Sequence, residues 1–324
     1  VHLPGFADVQ DAAAHLEGMA VRTPLIRHDA LDALVGGKVF IKPECLQRTG
    51  TFKFRGAYNR ICRLNADELS RGVVAFSSGN HAQGVAAAAA IMNTTAVIVM
   101  PKDAPMAKIE GTKALGGEVV LYDRYTQSRE QIAAEIGAKR GSVVVPAYDD
   151  FHVIAGQGTV GLEAARQLEA LGEGADVLLS PAGGGGLIGG IGLAFKALSP
   201  KTQIWGVEPE AYNDTALSLA AGHPVEVKPA VGTLCDALMA PKPGNLTFAL
   251  NKEQLAGALG VSDAEALAAM AFAFKHLKIV LEPGGAVALA AVLAGKLDVR
   301  GKTALVVCSG GNVDAATYAK ALER

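Results

Sequence analysis

Residues 41–58 read IKPECLQRTGTFKFRGAY. Lys53 stands there between Phe52 and Phe54, just after Thr49-Gly50-Thr51, and opens a helical pattern that continues through Ala57, Tyr58 and Ile61. Two flanking phenylalanines desolvate an ammonium, which lowers its pKa and frees the amine to act as nucleophile or base. From this stretch alone a solvated first-turn lysine is the alternative. The pattern on either side has to separate the two.

Upstream, a helix over Asp11–Met19 and a turn at Arg22-Thr23-Pro24 lead into a strand near Lys38–Lys42. Downstream, β-branched runs at Val73–Phe76, Thr95–Met100, Glu118–Tyr122 and Ser142–Val145 predict strands, with helical patterns between them at His81–Met92, Ala107–Leu115 and Ser128–Arg140. A second series follows Asp150: helix Thr159–Leu171, strand Val177–Leu179, helix Leu187–Leu198, strand Ile204–Val207 and a last strand Ala304–Val307. Such alternation with short connections gives parallel strands and right-handed crossovers. The expected fold is α/β, with two doubly wound parallel-sheet domains: a large one from residues 1–69 and 149–324, and a small substrate-capping one from 70–148. Gly222–Asn251, rich in proline and polar residues, reads as the least regular part, a cover or an interface.

Composition narrows the function. The chain has 324 residues, 50% of them hydrophobic, enough for a large core and two domains. Thirty-eight glycines with 5% aromatic residues and no low-complexity tract point to tight strand-to-helix turns and close backbone approach to a ligand. A formal charge of −2, with scattered lysines and arginines, excludes a nucleic-acid partner. Cys45, Cys62, Cys235 and Cys308 form no CxxC pair and read as thiols of a reducing compartment. No leader-like start or membrane-length apolar run is visible, so a cytoplasmic protein without membrane contact is expected.

Three turns carry candidate chemistry. In Ser180-Pro181-Ala182-Gly183-Gly184-Gly185-Gly186-Leu187, four glycines lie between a buried strand and a helix start, where free N–H groups wrap an anion. Gly184, Gly186 and Gly189 also satisfy GxGxxG, and Glu208 ends the next strand where a ribose-binding acid belongs, so a nicotinamide-dependent enzyme is a rival reading. It leaves Lys53 without a task. Ser77-Ser78-Gly79-Asn80-His81 is a second strand-to-helix turn, suited to a carboxylate or a ring oxygen, or serving only as a cap. Cys308-Ser309-Gly310-Gly311-Asn312 follows the last strand, and Ser309 there offers a neutral hydrogen bond to a ring nitrogen or a plain cap.

Together, Thr51-Phe52-Lys53-Phe54-Arg55-Gly56-Ala57, the SSGNHAQG stretch, Val153-Ile154-Ala155-Gly156-Gln157-Gly158-Thr159, the tetraglycine, Gly206-Val207-Glu208-Pro209 and Ser309-Gly310-Gly311-Asn312 resemble the serine/threonine dehydratase and serine racemase family of fold-type-II pyridoxal-phosphate enzymes, which includes 3-hydroxyaspartate and phenylserine dehydratase-like members. The resemblance implies a tryptophan synthase β-like architecture and a homodimer. It further implies pyridoxal 5'-phosphate held on Lys53, with Phe52 against its ring, Asn80 at its 3-oxygen, Gly183, Gly184, Gly185, Gly186 and Leu187 around its phosphate, Ser309 at its pyridine nitrogen and Glu282 nearby. Ser77, Ser78, Asn80 and His81 would hold the substrate carboxylate, and Ser78 would also face the side of the ring where a racemase needs its second base. Glu208, Tyr212 and Asp214 would bind a divalent cation, Mg²⁺, Ca²⁺ or Mn²⁺. The implied reaction is β-elimination from an L-3-hydroxyamino acid to a 2-oxo acid and ammonia, since a neutral serine at the ring nitrogen makes a poorer electron sink than a carboxylate partner does. Amino-acid racemisation, β-replacement and a cofactor-binding protein without turnover are the alternatives.

The chain also departs from that family. Pro146-Ala147-Tyr148 stands where relatives often carry a histidine-proline pair, and Cys235-Asp236-Ala237 where they carry alanine-aspartate-glycine. Both changes put serine or threonine specificity in doubt. Arg129 is placed to meet a second substrate carboxylate, as in 3-hydroxyaspartate, or is a solvated helix charge. No C-terminal regulatory domain is expected after the Ser309 motif.

Overall fold

A computed structural model describes residues 2–77, 79–104, 106–228 and 231–323. Among these, nine strands form two sheets in which every pairing is parallel. The larger sheet has the order β1 (Lys38–Pro43), β9 (Thr303–Cys308), β6 (Val177–Pro181), β7 (Gln203–Pro209), β8 (Leu255–Val261). The smaller runs β4 (Gly117–Tyr122), β3 (Ala96–Pro101), β2 (Val73–Phe76), β5 (Val143–Val144).

Period-two alternation along the strands sorts the core into faces. Val39 and Ile41 of β1, with Ala304 and Val306 of β9, point to one side of the large sheet and pack with Val287, Leu289 and Met270. Phe40, Leu305 and Val307 point to the other side and meet Leu187, Ile191 and Phe195. In the small sheet, Val73, Ala75, Ile98 and Met100 pack against Phe54, Ala57, Tyr58 and Ile61 of the helix Lys53–Ile61, while Val74, Val97 and Val99 face Ala133. The helix headed by Lys53 therefore lies in the core of the small sheet, although its strand, β1, belongs to the large one.

Each strand expected from the sequence is present within two residues of its expected ends. β8 was not foreseen, because LAGALGV lacks a β-branched residue before Val261. Its Gly257 lies under the Trp205 ring of β7, where a Cβ would come within 2.6 Å of Trp205 Cζ3. The helix expected at Thr159–Leu171 starts eight residues earlier and runs Phe151–Ala170, with Asp150 accepting the His152 and Val153 N–H groups at 2.9 Å. Gly156 and Gly158, which look like helix breakers, let this helix pack closely: a Cβ on Gly156 would lie 2.8 Å from the Arg55 carbonyl oxygen, and one on Gly158 2.8 Å from that of Gly190. The first helix is Phe6–Leu16, not Asp11–Met19, because Gly18 turns left-handed at φ 73°. The irregular stretch ends earlier than expected, at the helix Asn245–Gln254. No described helix is long and apolar enough to cross a membrane.

Candidate active site

The chemistry-bearing turns all follow the carboxyl ends of parallel strands, where α/β sheets place their ligands. Lys53 heads its helix with its peptide N–H donated to Thr51 Oγ1 at 3.0 Å. Its Nζ donates to the Ala147 carbonyl at 2.7 Å and lies 5.2 Å from the centre of the Phe52 ring. Lost hydration in this half-buried place pushes the amine down to about 8. Two residues on, buried Arg55 anchors the helix, donating to Glu44 at 2.7 and 2.9 Å and to Glu163 at 2.7 and 2.9 Å.

The tetraglycine follows β6. Gly183 and Gly185 have φ of 55° and 90°, and such left-handed residues turn peptide N–H groups into an anion-binding concavity. Gly185 caps the helix Gly186–Leu198, whose N-terminus adds to the attraction for negative charge. Tyr148 lies against the loop, so that a Cβ on Gly184 would come 2.4 Å from Tyr148 Cγ. Tyr148 of the Pro146-Ala147-Tyr148 stretch thus lies on the glycine loop. The loop is held from outside by the helix Asn245–Gln254: Thr247 Oγ1 donates to the Gly184 carbonyl at 2.7 Å and Asn251 Nδ2 to that of Gly185 at 3.2 Å. Asp149 caps that helix, accepting from Asn245, Leu246 and Thr247 N–H groups.

After β2, Ser77 Oγ accepts the Gly79 N–H at 3.2 Å and the helix Asn80–Ile91 begins. The first-turn N–H groups of a helix have no intrahelical acceptor and face an anion readily. Ser78 lies outside the described residues. Buried His81 donates Nε2–H to the Val145 carbonyl at 2.9 Å, and burial and the nearby Lys53 charge push it down to about 3. His81 is therefore a neutral ring. Asn80 Nδ2 donates to Glu282 Oε1 at 2.7 Å, and Asn312 Nδ2 donates to Asn80 Oδ1 at 2.9 Å and to the Thr49 carbonyl at 2.8 Å. Burial, then the Asp236 carboxylate, push Glu282 up to about 7. Ser309 is buried between these elements, its carbonyl accepting the Phe52 N–H at 3.2 Å.

Two cations flank the Ser77–His81 turn. Lys108 pairs with Asp236 across the cleft and lies 3.6 Å from where a Gly79 Cβ would stand. Arg129 stacks 5.4 Å from the Phe76 ring, pairs with Glu130 at 2.8 Å, and lines a cavity of about 40 Å³ together with Ser77, Tyr122 and Arg124. The added bulk of Ala237 rests on Gly284, with their Cβ positions 3.2 Å apart, beside Glu282.

At the end of β7, buried Glu208 accepts from Thr215 N–H at 3.0 Å and Thr215 Oγ1 at 2.7 Å. A buried acid so engaged does not reach a ribose hydroxyl, which removes the dinucleotide reading of GxGxxG. Buried Asp214 has no hydrogen-bond partner on either carboxylate oxygen. Burial raises both acids, Asp214 to about 7 and Glu208 well above the usual carboxylate range, with Asp214 the next cause at Glu208. Tyr212 is half-buried in the turn between them. Among the described residues no cluster of three or more His, Cys, Asp or Glu forms a metal set. All four cysteines are free, Cys235 and Cys308 buried and Cys45 and Cys62 half-buried.

The sequence singled out Lys53, the tetraglycine, Asn80, Ser309 and Glu282, and the fold brings them to one cleft. It gave no signal for Thr247, Asn251, Asp149 or Lys108. The one available clue was the four-residue spacing of Thr247 and Asn251, which puts two polar side chains on the same helix face.

A glycine loop with two left-handed residues at a helix start, with an amine of lowered pKa nearby, suits a phosphate-bearing aldehyde. Comparison with known proteins agrees. Residues 16–310 match the model of a family described as pyridoxal-phosphate dependent enzyme. The chain is 44% identical over 323 residues to an L-threo-3-hydroxyaspartate ammonia-lyase of Pseudomonas sp, covering 100% of both chains. It is 40% identical over 322 residues to a serine racemase of Schizosaccharomyces pombe, covering 99% of this chain and 98% of the relative. A crystal structure of a T.th. threonine deaminase superposes with a TM-score of 0.90 at 40% identity, covering 96% of this chain and 99% of the other. With the lysine, the glycine cup and these relatives in agreement, the chain belongs to the pyridoxal-phosphate dependent enzyme family.

Proposed function

We propose that this protein removes the β-hydroxyl and amino groups of an L-3-hydroxyamino acid, releasing a 2-oxo acid and ammonia, and that its preferred substrate is of the 3-hydroxyaspartate type. The observation that carries the reaction is Lys53, an amine lowered to about 8 that bonds the Ala147 carbonyl beside Tyr148, the residue packed on the tetraglycine.

When bound, pyridoxal phosphate supplies an electron sink for the bonds at the substrate Cα. Lys53 would carry it, with Phe52 at its ring, Asn80 and Ser309 at the ring oxygen and nitrogen, and Gly183–Gly186 with Leu187 at the phosphate. The helix start at Asn80 orients the substrate carboxylate. Lys53 Nζ, largely neutral not far above physiological pH, takes the Cα proton. Glu282 holds Asn80 in place through the 2.7 Å hydrogen bond. Arg129, beside Ser77 in a small cavity, is the cation we assign to a second substrate carboxylate, and the Pseudomonas sp relative is named for such a substrate.

The purified protein, given L-serine, L-threonine, both 3-hydroxyaspartates and L-phenylserine, should release 2-oxo acid and ammonia fastest from a 3-hydroxyaspartate, and Lys53→Ala should abolish the release. A protein that forms no oxo acid from any of them would sink the reading. The Schizosaccharomyces pombe relative favours racemisation as a second reading, with Ser78 as the second base, and chiral analysis of recovered substrate separates the two.

Glu208, Asp214 and the Tyr212 backbone are proposed to bind Mg²⁺, Ca²⁺ or Mn²⁺, supported by the two bare, buried oxygens of Asp214. The two sheets are proposed to be two domains, residues 1–69 with 149–324 and 70–148, the smaller capping the substrate. A homodimer in the cytoplasm completes the reading, which sedimentation and cell fractionation would check.

A further inference from the structure

Glycine-rich loops bind phosphate only when their peptide planes are turned so that N–H groups face inward and carbonyls outward. Four consecutive glycines are poorly suited to hold such an orientation themselves, because glycine visits left- and right-handed regions with similar ease. In this protein the restraint comes from another element. Thr247 and Asn251, one helical turn apart on Asn245–Gln254, donate to the Gly184 and Gly185 carbonyls at 2.7 and 3.2 Å. Both side chains are buried, at 0% and 3% exposure, so water does not compete for these bonds. The contact is close: a Cβ on Gly185 would lie 2.7 Å from Asn251 Nδ2 and 3.0 Å from Thr247 Oγ1.

We infer that Thr247 and Asn251 are positioning residues for the cofactor phosphate: Thr247 fixes the Gly184–Gly185 peptide, whose N–H closes the turn beneath the cup, and Asn251 fixes the Gly185–Gly186 peptide, whose N–H is left for the anion. The inference rests on the cofactor assignment but not on the choice of substrate. Each carbonyl held outward leaves the next peptide N–H, that of Gly185 or Gly186, set in orientation. Gly185 N–H already returns to the Ala182 carbonyl at 3.1 Å, closing the turn. The Gly186 N–H, at the first helical position, is the one that the Asn251 bond directs.

The test uses the full chain freed of cofactor and titrated with pyridoxal phosphate and, separately, with pyridoxal, which has the aldehyde but no phosphate. Thr247→Val and Asn251→Leu should each weaken pyridoxal-phosphate binding roughly tenfold, the effect of one net hydrogen bond, and leave pyridoxal binding within about twofold. Thr247→Ser keeps the hydroxyl and should restore wild-type affinity even if Thr247→Val folds poorly. Equal weakening toward both ligands, or no weakening toward pyridoxal phosphate, would overturn the inference. Wild-type protein that binds neither ligand would instead overturn the cofactor assignment.

Discussion

Asn80 Nδ2 donates to Glu282 Oε1 at 2.7 Å, joining the turn after β2 of the small sheet to the start of the helix Pro283–Leu293 across 202 residues of sequence. The acceptor is an acid raised by burial to about 7 from an ordinary 4.5. The folded protein therefore keeps a proton that the unfolded chain releases. Its stabilising contribution is full below about pH 4.5 and is lost as pH rises through about 7, a swing of roughly 3 kcal/mol at 1.36 kcal/mol per unit. Glu282→Gln, neutral at every pH, should flatten the dependence of unfolding midpoint on pH between 5 and 8 relative to wild type. Parallel slopes in the two proteins would show that Glu282 is not the titrating group.

Lys53 makes a separate pH prediction. Only its neutral amine attacks an aldehyde, and the group sits near 8 because burial disfavours its charge. Covalent capture of pyridoxal phosphate by cofactor-free protein, followed by absorbance, should quicken about tenfold per pH unit below 8 and level off above it. A rate still climbing at pH 10 would place the amine at its solvated value.

Arg129 is weighed by selectivity. Arg129→Met should raise KM for a 3-hydroxyaspartate at least tenfold and change KM for L-serine by less than threefold. Equal changes for both substrates would return Arg129 to its Glu130 partner, as a surface charge.

Metal binding is testable without turnover. Millimolar Mg²⁺, Ca²⁺ or Mn²⁺ should raise the melting temperature by several degrees, and Asp214→Asn should remove the increase. The expectation follows from mass action, since a cation that binds only the folded state stabilises it. No shift with any of the three would count against Glu208 and Asp214 as ligands.

Arg55 faces two carboxylates from a fully buried position. Arg55→Met should cost roughly 3–5 kcal/mol, because Glu44 would be left charged and unpaired in the interior. Urea unfolding measures this directly, and a loss under 1 kcal/mol would mean that Glu44 takes up a proton without penalty.

The strand-helix alternation and the turns bearing Lys53, Ser77–His81, the tetraglycine and Ser309 were readable because a buried parallel strand and its terminal turn are local events in sequence. β8 was not, because its Gly257 serves the Trp205 ring, a neighbour 52 residues away. The first half of the helix Phe151–Ala170 was hidden for a similar reason: Gly156 and Gly158 meet Arg55, Gly56 and Gly190, and the benefit of close packing appears only once those partners are in place. His81 shows the limit for chemistry. The family resemblance implied a place beside the substrate carboxylate, and only the Val145 carbonyl and its burial reveal that the ring is neutral.

The hydrogen bond from Lys53 Nζ to the Ala147 carbonyl ties the amine to the segment that leaves the small sheet after β5 and enters the helix Phe151–Ala170. A neutral amine that condenses with an aldehyde gives up both of its hydrogens as water forms, so loading Lys53 would take the donor away from this carbonyl. The peptide at residue 147 is thereby a built-in gauge of occupancy. A ¹³C label there should show its amide stretch move to higher frequency on loading, reporting the state of the site from a backbone atom that takes no part in the reaction.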